Sequence, residues 1–471
     1  MPNFITYDQK QGMFMTLVPD DLLEAEHPAR IIDSVVEKLN LEAMYSYYSD
    51  EGSETYHPKM MIKVLFYGYQ QNVFSGRVLQ RSLKIRADFI YLSGGQVPDF
   101  RTLNNFRVRH MDVLPDLFVQ IVALCKALGM MDFKNLAVDG QKIQANASFK
   151  KSYNKERLKK SYERVRKGME KLLEKEISED FTEEVKSKRL GRLENQKKNL
   201  DEVKEVLESL SDEKAAVNGT DHDAATMKHK DRKIVPSYNH QSAVDETCGI
   251  TVSVNTTTNN DISDDLFTLV DKAKETTGKS YENVLADCGF CDYEGLKKME
   301  NEREEEFYVP DRRFETTEHD SGKKGEFDIN HFTKNDSGGY LCPLGKEMNE
   351  KQIITYDDGH TVTIYECRAC ENCGQKDKCT KGKARTIAED SREPYREKMR
   401  VKLRSEIGRE IYMKRQGIVE PAHGNDQKNK GWKQHYLRGK EKCALEFMLI
   451  RIGSNLSKII RYRAKEMLSL G

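Results

Sequence analysis

The chain has 471 residues, 37% hydrophobic and 33% charged, with 77 Lys+Arg balanced by 77 Asp+Glu. At roughly 100 to 200 residues per domain it divides into two to four units, with length enough for a sizeable core. No stretch approaches the roughly 18 apolar residues of a membrane span, and the start MPNFITYDQKQ lacks a basic region followed by an apolar one. Membrane and secreted classes are therefore excluded as expectations, and the cytoplasm is the expected compartment. Ten cysteines are too few for a disulfide scaffold, so clustered thiols read first as metal ligands.

Zero net charge conceals local asymmetry. From His57 to His110 nine Lys/Arg face two acids, and from Pro421 to Gly471 eleven face four, so each stretch carries +7. Either could neutralise several phosphates by counterion release, although basic helix faces are commonly only solvated. Residues 1–130 read as mostly helical, with Met60, Val64, Leu65 and Tyr67 at helical spacing. In VPDFRTLNNFRVRH, Pro98 and Asp99 suit a helix start, and Arg101, Arg107 and Arg109 then surround Leu103 and Phe106. That segment reads either as a recognition helix or as a packing helix with a wet basic side.

At Asn135 the pattern changes: LAVDGQKIQANA alternates as a strand and sets Asp139 just after Leu136 and Val138. From Lys150 to Ala215, heptad-like spacing at Leu158, Tyr162, Val165, Met169 and Leu172, then at Leu193, Leu200, Val203, Leu207 and Leu210, predicts two helices folded back as a hairpin insertion. SYNHQSAVDETCGITVSVNTTT predicts a β-hairpin turning at Glu246 to Gly249, followed by a helix over about Ser263 to Thr276. Then come a short strand ending at Asp287, a helix in DYEGLKKMENERE, and a strand in EFYVP cut off by Pro310. This order predicts a mixed α/β sheet with helices packed against it.

Three acids could carry chemistry. Asp139 and Asp287 each follow an apolar run at a strand end, with Gly within two residues, which would place both carboxylates on a sheet rim. Hard divalent ions take such oxygen ligands together with substrate phosphates, although Asp-Gly is also an ordinary turn dipeptide. Glu420 is the third, with Tyr412, Arg415, Lys428 and Lys430 around it; an acid for metal among cations for phosphates is what cleavage of a polyanion requires. Pro421 disfavours helical geometry at Glu420, so the acid is expected at a helix end. Five thiols lie between Cys342 and Cys379. Four of them, Cys342, Cys370, Cys373 and Cys379, fit a structural Zn²⁺ with Cys367 spare; the alternative is a set of reduced, unligated thiols. No Walker-type loop supports ATP hydrolysis.

Taken together, these residues resemble DDE-type transposases of bacterial insertion sequences over nearly the whole chain. HPKMMIKVLFYGYQQNVFSGRVLQRSL with VPDFRTLNNFRVRH is similar to the InsH-type N-terminal domain. LAVDGQKIQANAS is similar to the first-aspartate strand, SYNHQSAVD to the block before the central strands, LADCGF to the second-aspartate block, and IVEPAHG to the third-acid block. Tyr412 and Arg415 match the Tyr and Arg that precede that acid. The chain departs from the pattern at His423, where the family has Phe, and at Gln427, which takes the place of a Lys and has Lys428 beside it.

The resemblance implies a ribonuclease H-like mixed sheet core with an all-α N-terminal domain, a long helical insertion and a cysteine-rich insertion. The expected boundaries are 1–130 for DNA binding; 131–149 with 235–310 and 401–471 for the catalytic core; 150–234 for the helical hairpin; and 311–400 for the zinc-binding insertion. It implies that Asp139, Asp287 and Glu420 hold Mg²⁺ (or Mn²⁺), and that Arg101, Arg107, Arg109, Tyr412, Arg415, Lys428 and Lys430 contact DNA. Attack by water and then by the freed 3′ hydroxyl would cleave and transfer a strand at the same site. The implied partners are double-stranded DNA, as element ends and as target, and a second copy of the chain, with no membrane; the setting is the bacterial cytoplasm at the nucleoid. Two alternatives are carried: a catalytically inactive DNA-binding copy acting as a regulator, and a ribonuclease H-like nuclease without strand transfer.

Overall fold

The computed structural model describes residues 18–48, 55–177, 181–210, 216–259, 262–314 and 325–470; the opening MPNFITYDQKQ lies outside them. The chain begins with seven helices, α1 (Pro28–Glu37), α2 (Glu42–Tyr45), α3 (Pro58–Gln70), α4 (Gly76–Ile85), α5 (Ala87–Ser93), α6 (Phe100–Arg109) and α7 (Leu114–Ala127). Strand β1 (Asn135–Gln144) and the short β2 (Ser152–Tyr153) lead into the helical pair α8 (Lys155–Glu174) and α9 (Glu183–Ser209). Next come β3 (Val217–Asn218), β4 (Ala225–Lys228), β5 (Ile234–Asp245), β6 (Thr251–Thr257), α10 (Asp265–Thr277), β7 (Asn283–Leu285), α11 (Tyr293–Asn301) and β8 (Glu306–Tyr308). The cysteine-rich stretch holds β9 (Thr333–Lys334), β10 (Tyr340–Leu341), β11 (Glu347–Thr355), β12 (Thr361–Glu366), α12 (Lys376–Cys379) and β13 (Thr386–Asp390). Helices α13 (Glu393–Arg404), α14 (Glu406–Gly424) and α15 (Lys440–Leu470) follow, with a π-helical turn at Asn425–Asn429 before α15.

The chain forms two compact units: residues 1–130, 142–240 and 425–471 make one, and 131–141 with 241–424 the other. In the first, α1 and α3 both start at His-Pro pairs. The His27 and His57 side chains accept the N–H groups of Ala29 and Lys59 at 3.2 Å, and the following prolines fit the first helical turn. Helix α3 is apolar nearly all round, with Met61, Ile62, Val64, Leu65, Phe66, Tyr67 and Tyr69 buried, so it must be enclosed on every side. Helices α1, α5 and α15 pack against it. The C-terminal helix was expected with the sheet; instead it closes the N-terminal bundle, packing on α3 and α7, because its buried Leu445, Leu449, Ile452, Leu456 and Ile459 form a stripe at helical spacing. The predicted hairpin insertion is present as α8 and α9, joined through Leu158, Val165, Leu200, Val203 and Leu207.

In the second unit the strand order is β6, β5, β1, β7, β8. Strand β1 pairs in parallel with β7, Asn135 to Asn283 and Ala137 to Leu285, and β7 pairs in parallel with β8. Strand β5 runs antiparallel to β1: the N–H of Glu246 reaches the carbonyl of Asn135 at 3.2 Å. Where the two strands continue into the first unit, the N–H of Ala145 reaches the carbonyl of Pro236 at 2.9 Å. The hairpin of β5 and β6 closes at Asp245 and Ile250, with Gly249 at φ 67° supplying the left-handed residue that the turn needs. One sheet face packs Ala137, Val244, Leu285 and Tyr308 against Leu403, Ile418 and Val419 of α13 and α14. The cysteine-rich stretch, for which no strands were predicted, forms its own antiparallel sheet in the order β13, β12, β11, β10, β9.

Helices α3 and α15 touch where Gly453 lies on the backbone of Tyr69; a Cβ there would stand 2.7 Å from Tyr69 C and 2.8 Å from its O. Backbone cannot yield as a side chain can, so Gly453→Ala is expected to lower the unfolding free energy by about 1–3 kcal/mol. Gly191→Ala in α9, where nothing lies within 4 Å, should raise it by roughly 0.5–1 kcal/mol. Urea denaturation of the two variants checks both signs.

Candidate active site

The parallel register places the two aspartates. Ala137 lies opposite Leu285, and Asp139 and Asp287 each stand two residues further along, Asp139 within β1 and Asp287 just past the end of β7. The apolar packing ends there and the carboxylates begin. Asp139 Oδ1 accepts the N–H of Gly140 at 2.8 Å. Asp287 caps a 3₁₀ turn over Cys288–Phe290, its Oδ1 accepting the N–H of Gly289 at 2.9 Å.

Arg415 of α14 serves both acids. Its guanidinium is mostly buried, with Nη1 4.0 Å from Asp139 Oδ2. Burial by itself would push the guanidinium down, but Tyr412, Asp139 and Asp287 together hold it above its ordinary value. Tyr412 packs at the edge of the same core, its ring centroid 5.9 Å from the Arg415 guanidinium carbon. Ile418 and Val419 are buried on the sheet, and Glu420, the next residue, is exposed.

The expectation that Pro421 ends the helix at Glu420 is corrected: α14 runs through Pro421 to Gly424 before the π-helical turn. Proline removes one N–H and crowds the carbonyl four residues earlier, which here belongs to Gly417, a residue with open space around it. His423 faces inward and meets Ser242 of β5, Nε2 to Oγ 3.2 Å, so its place is structural. Arg415 thus stands beside Asp139, with the charge of Asp287 also acting on it, and Glu420 is exposed on α14. Among the described residues no three His, Cys, Asp or Glu side chains are gathered closely enough to hold a metal ion. The aspartates have the hard oxygen donors that suit a divalent cation.

The cysteines share one small core. Cys367 and Cys370 are buried with Phe332, Met348 and Ile387, and Cys342 and Cys379 pack against them. Burial, with Cys370 beside it, pushes the Cys367 thiol up to about 11, and burial also raises Cys379. The sulfurs of Cys342 and Cys370 accept the N–H groups of Lys346 and Arg385, each at 3.4 Å. Cys342, Cys370 and Cys373, read from sequence as ligands with Cys379, all act on the Cys379 thiol, and Cys367, read as spare, lies beside Cys370 and Cys342 in the same core. Cys373 is less deeply placed.

The expected DNA-contacting side chains divide by burial. Asp99 caps α6 as predicted, accepting from Arg101 and Thr102, and Arg101 and Arg109 are exposed. Arg109 bonds the carbonyl of Tyr47 and lies over the Tyr48 ring at 4.7 Å. Arg107 is only 3% exposed and donates to Tyr69 Oη at 2.8 Å and to the carbonyl of Phe74 at 3.3 Å. Lys428 is exposed on the π-helical turn. Lys430 turns inward to Ser454 Oγ at 2.5 Å and Asp426 Oδ1 at 3.2 Å, and burial pushes its ammonium down to about 8.

Two comparisons bear on what this arrangement belongs to. A family described as Transposase DDE domain matches residues 341–460, spanning the cysteine-rich sheet, Arg415 and Glu420. A second, described as Transposase domain (DUF772), matches residues 17–109, the helices up to α6. The class is thus that of proteins that move DNA segments. Within it, the chain belongs with the DDE-type transposases of insertion sequences. No curated protein and no solved structure matches it. Asp139 and Asp287 lie outside both matched segments.

Because Arg107 bonds core groups, Arg107→Met is expected to cost about 2–3 kcal/mol of stability. A lowered urea midpoint checks this; an unchanged midpoint would return Arg107 to the surface.

Proposed function

We propose that this transposase binds the terminal inverted repeats of an insertion sequence and cleaves and transfers DNA strands, with Asp139, Asp287 and Glu420 as its carboxylate triad on a ribonuclease H-like core. The observation that carries the reading is the register of β1 and β7, which pairs Ala137 with Leu285, each two residues before an aspartate, Asp139 within β1 and Asp287 just past β7. The strand order β6, β5, β1, β7, β8, antiparallel on one side of β1 and parallel on the other, supports the fold assignment.

Asp139 and Asp287 would hold Mg²⁺ or Mn²⁺, with Glu420 as third ligand. Such ions supply Lewis-acid activation of the attacking and leaving oxygens of a phosphodiester. The chain's own groups do the positioning. Gly140 and Gly289 N–H groups fix the rotation of the two carboxylates, and Arg415, carrying its charge at neutral pH, stands where a scissile phosphate would need a guanidinium. Tyr412 flanks that guanidinium. Exposed Arg101, Arg109 and Lys428 are the side chains available for backbone contacts, while Arg107 and Lys430 act from within the core. Two ends must be processed together, so a homodimer on DNA at the bacterial nucleoid belongs to the same proposal.

Asp287→Asn is expected to keep duplex affinity and to lose Mg²⁺-dependent nicking at the element border by roughly a hundredfold or more. Strand cleavage of a labelled duplex carrying the bordering DNA, with Mg²⁺ and with EDTA, checks this; undiminished cleavage by the variant removes the assigned site. A second reading, a DNA-binding copy that does not cleave, is favoured by one observation: Glu420 is exposed and no three acids gather among the described residues. It predicts binding without nicking by the native chain.

For the cysteine-rich insertion we propose a structural Zn²⁺ on Cys342, Cys370, Cys373 and Cys379; in this structure the described thiols share a core without being drawn into a ligand set. Elemental analysis of protein never exposed to chelator should find about one Zn per chain; finding none would leave the thiols unligated.

A further inference from the structure

A second polar site lies in the first unit. A cavity of about 260 Å³ opens beside the start of α4, lined by Ser75, Gly76, Arg77, Asn104, Arg107 and Tyr436 among others, and no Asp or Glu lines it. Two guanidiniums reach it from different depths. Arg77 is exposed, with its guanidinium carbon 4.9 Å from the centre of the Phe100 ring, and Arg101 approaches the same ring at 5.7 Å. Arg107 is 97% buried; its two terminal nitrogens are used by Tyr69, Phe74 and Asn104, and its Nε has no hydrogen-bond partner. Arg107 thus brings a fixed positive charge to the cavity lining, held in place by Tyr69, Phe74 and Asn104, where an anionic ligand would be the complementary partner.

The backbone adds to this. Ser75 is the N-cap of α4 in extended conformation, but its hydroxyl makes no capping bond, so the first N–H groups of a ten-residue helix have no side-chain acceptor. Gly76 admits no side chain: a Cβ would stand 2.6 Å from Asn104 Oδ1 and 3.1 Å from the carbonyl of Phe100, so α4 and α6 meet directly behind the opening. Of the acids around it, Asp99 is committed to capping α6 and Glu446 to the N–H groups of Tyr436 and Leu437. Tyr436, 49% exposed, offers an aromatic face at the rim.

We propose that this cavity binds one phosphodiester of duplex DNA, with the Arg77 and Arg107 guanidiniums, the Ser75 hydroxyl and the α4 N-terminus as its donors. The site rests on the reading of the chain as a DNA-binding transposase, and it differs from the expected use of α6 as a groove-reading helix. It grips backbone and carries no sequence information, fixing the register of the bundle on the duplex.

The test uses the full chain with two probes, inorganic phosphate and a short duplex of arbitrary sequence, and reads the slope of log affinity against log salt. Arg77→Gln should reduce the magnitude of that slope by about 0.9, the value for one phosphate. Ser75→Ala should weaken duplex binding without moving the thermal midpoint, and Lys171→Gln on the exposed side of α8 should leave the slope unchanged. An unaltered slope in Arg77→Gln overturns the site, and so does an equal loss in Lys171→Gln. If inorganic phosphate saturates the native chain but not Arg77→Gln while duplex binding is the same in both, the cavity takes a free anion and the DNA assignment falls. Failure of the native chain to bind duplex at all would remove the proposed function as well, which separates the two failures.

Discussion

Two carboxylates can share a divalent ion only if the backbone brings them within a few ångströms and keeps them there against their own repulsion, and for the proposed pair Asp139 and Asp287 that constraint falls on the parallel pairing of β1 with β7. Neighbouring strands lie roughly 4.8 Å apart, and the register of Ala137 on Leu285 leaves Asp139 and Asp287 at equivalent positions just beyond the paired residues. The register is held in turn by the face it buries. A slip of one residue in β1 would turn Ala137 away from the face shared with Ile418 and Val419 and would carry Asp139 with it to the opposite side. Arg415 follows from the same packing, since the helix face that buries Ile411, Ile418 and Val419 also delivers residue 415 to the rim.

Much of this was legible in the sequence, and the reasons are local. LAVDGQ and VLADCG carry the strand pattern, with Asp287 just past β7 as expected, whereas β1 runs on from Asp139 to Gln144 and leaves that acid mid-strand. Asp99 announces a helix start, and the alternation around Gly249 announces a hairpin. The heptad spacing from Leu158 to Leu207 gives the helical pair because each apolar position has its partner on the other helix. What escaped was set by distant partners. Nothing near Arg107 in the chain says that Tyr69 and the Phe74 carbonyl will take its guanidinium, and nothing near Lys430 points to Ser454. Pro421 misled because local propensity gives way when both flanks of a helix are buried, as Val419 and His423 are. The strands of the cysteine-rich stretch were missed because β11 alternates weakly and is exposed along most of its length.

These inward-turned cations change what the two basic stretches mean. The excess charge from His57 to His110 includes Arg107 in the core, Lys63 tied to Asp33 and Glu37, and Arg86 tied to Asp88. The C-terminal stretch includes Arg451, fully buried and paired with Asp426, and Lys430 beside it. Charge counted along the chain therefore overstates the charge presented to a polyanion. Inside a low-dielectric bundle such groups act mainly as directional donors that fix how helices meet.

The docking of α15 on α3 also orders events in time. Helix α3 ends at Gln70 and α15 begins at Lys440, yet Gly453 is built into the surface of Tyr69. At roughly 5–20 residues per second of synthesis, the apolar side of the N-terminal bundle waits on the order of tens of seconds for the segment that covers it. A nascent chain in that interval exposes the very surface that closure will hide, the kind of apolar surface against whose aggregation chaperones exist.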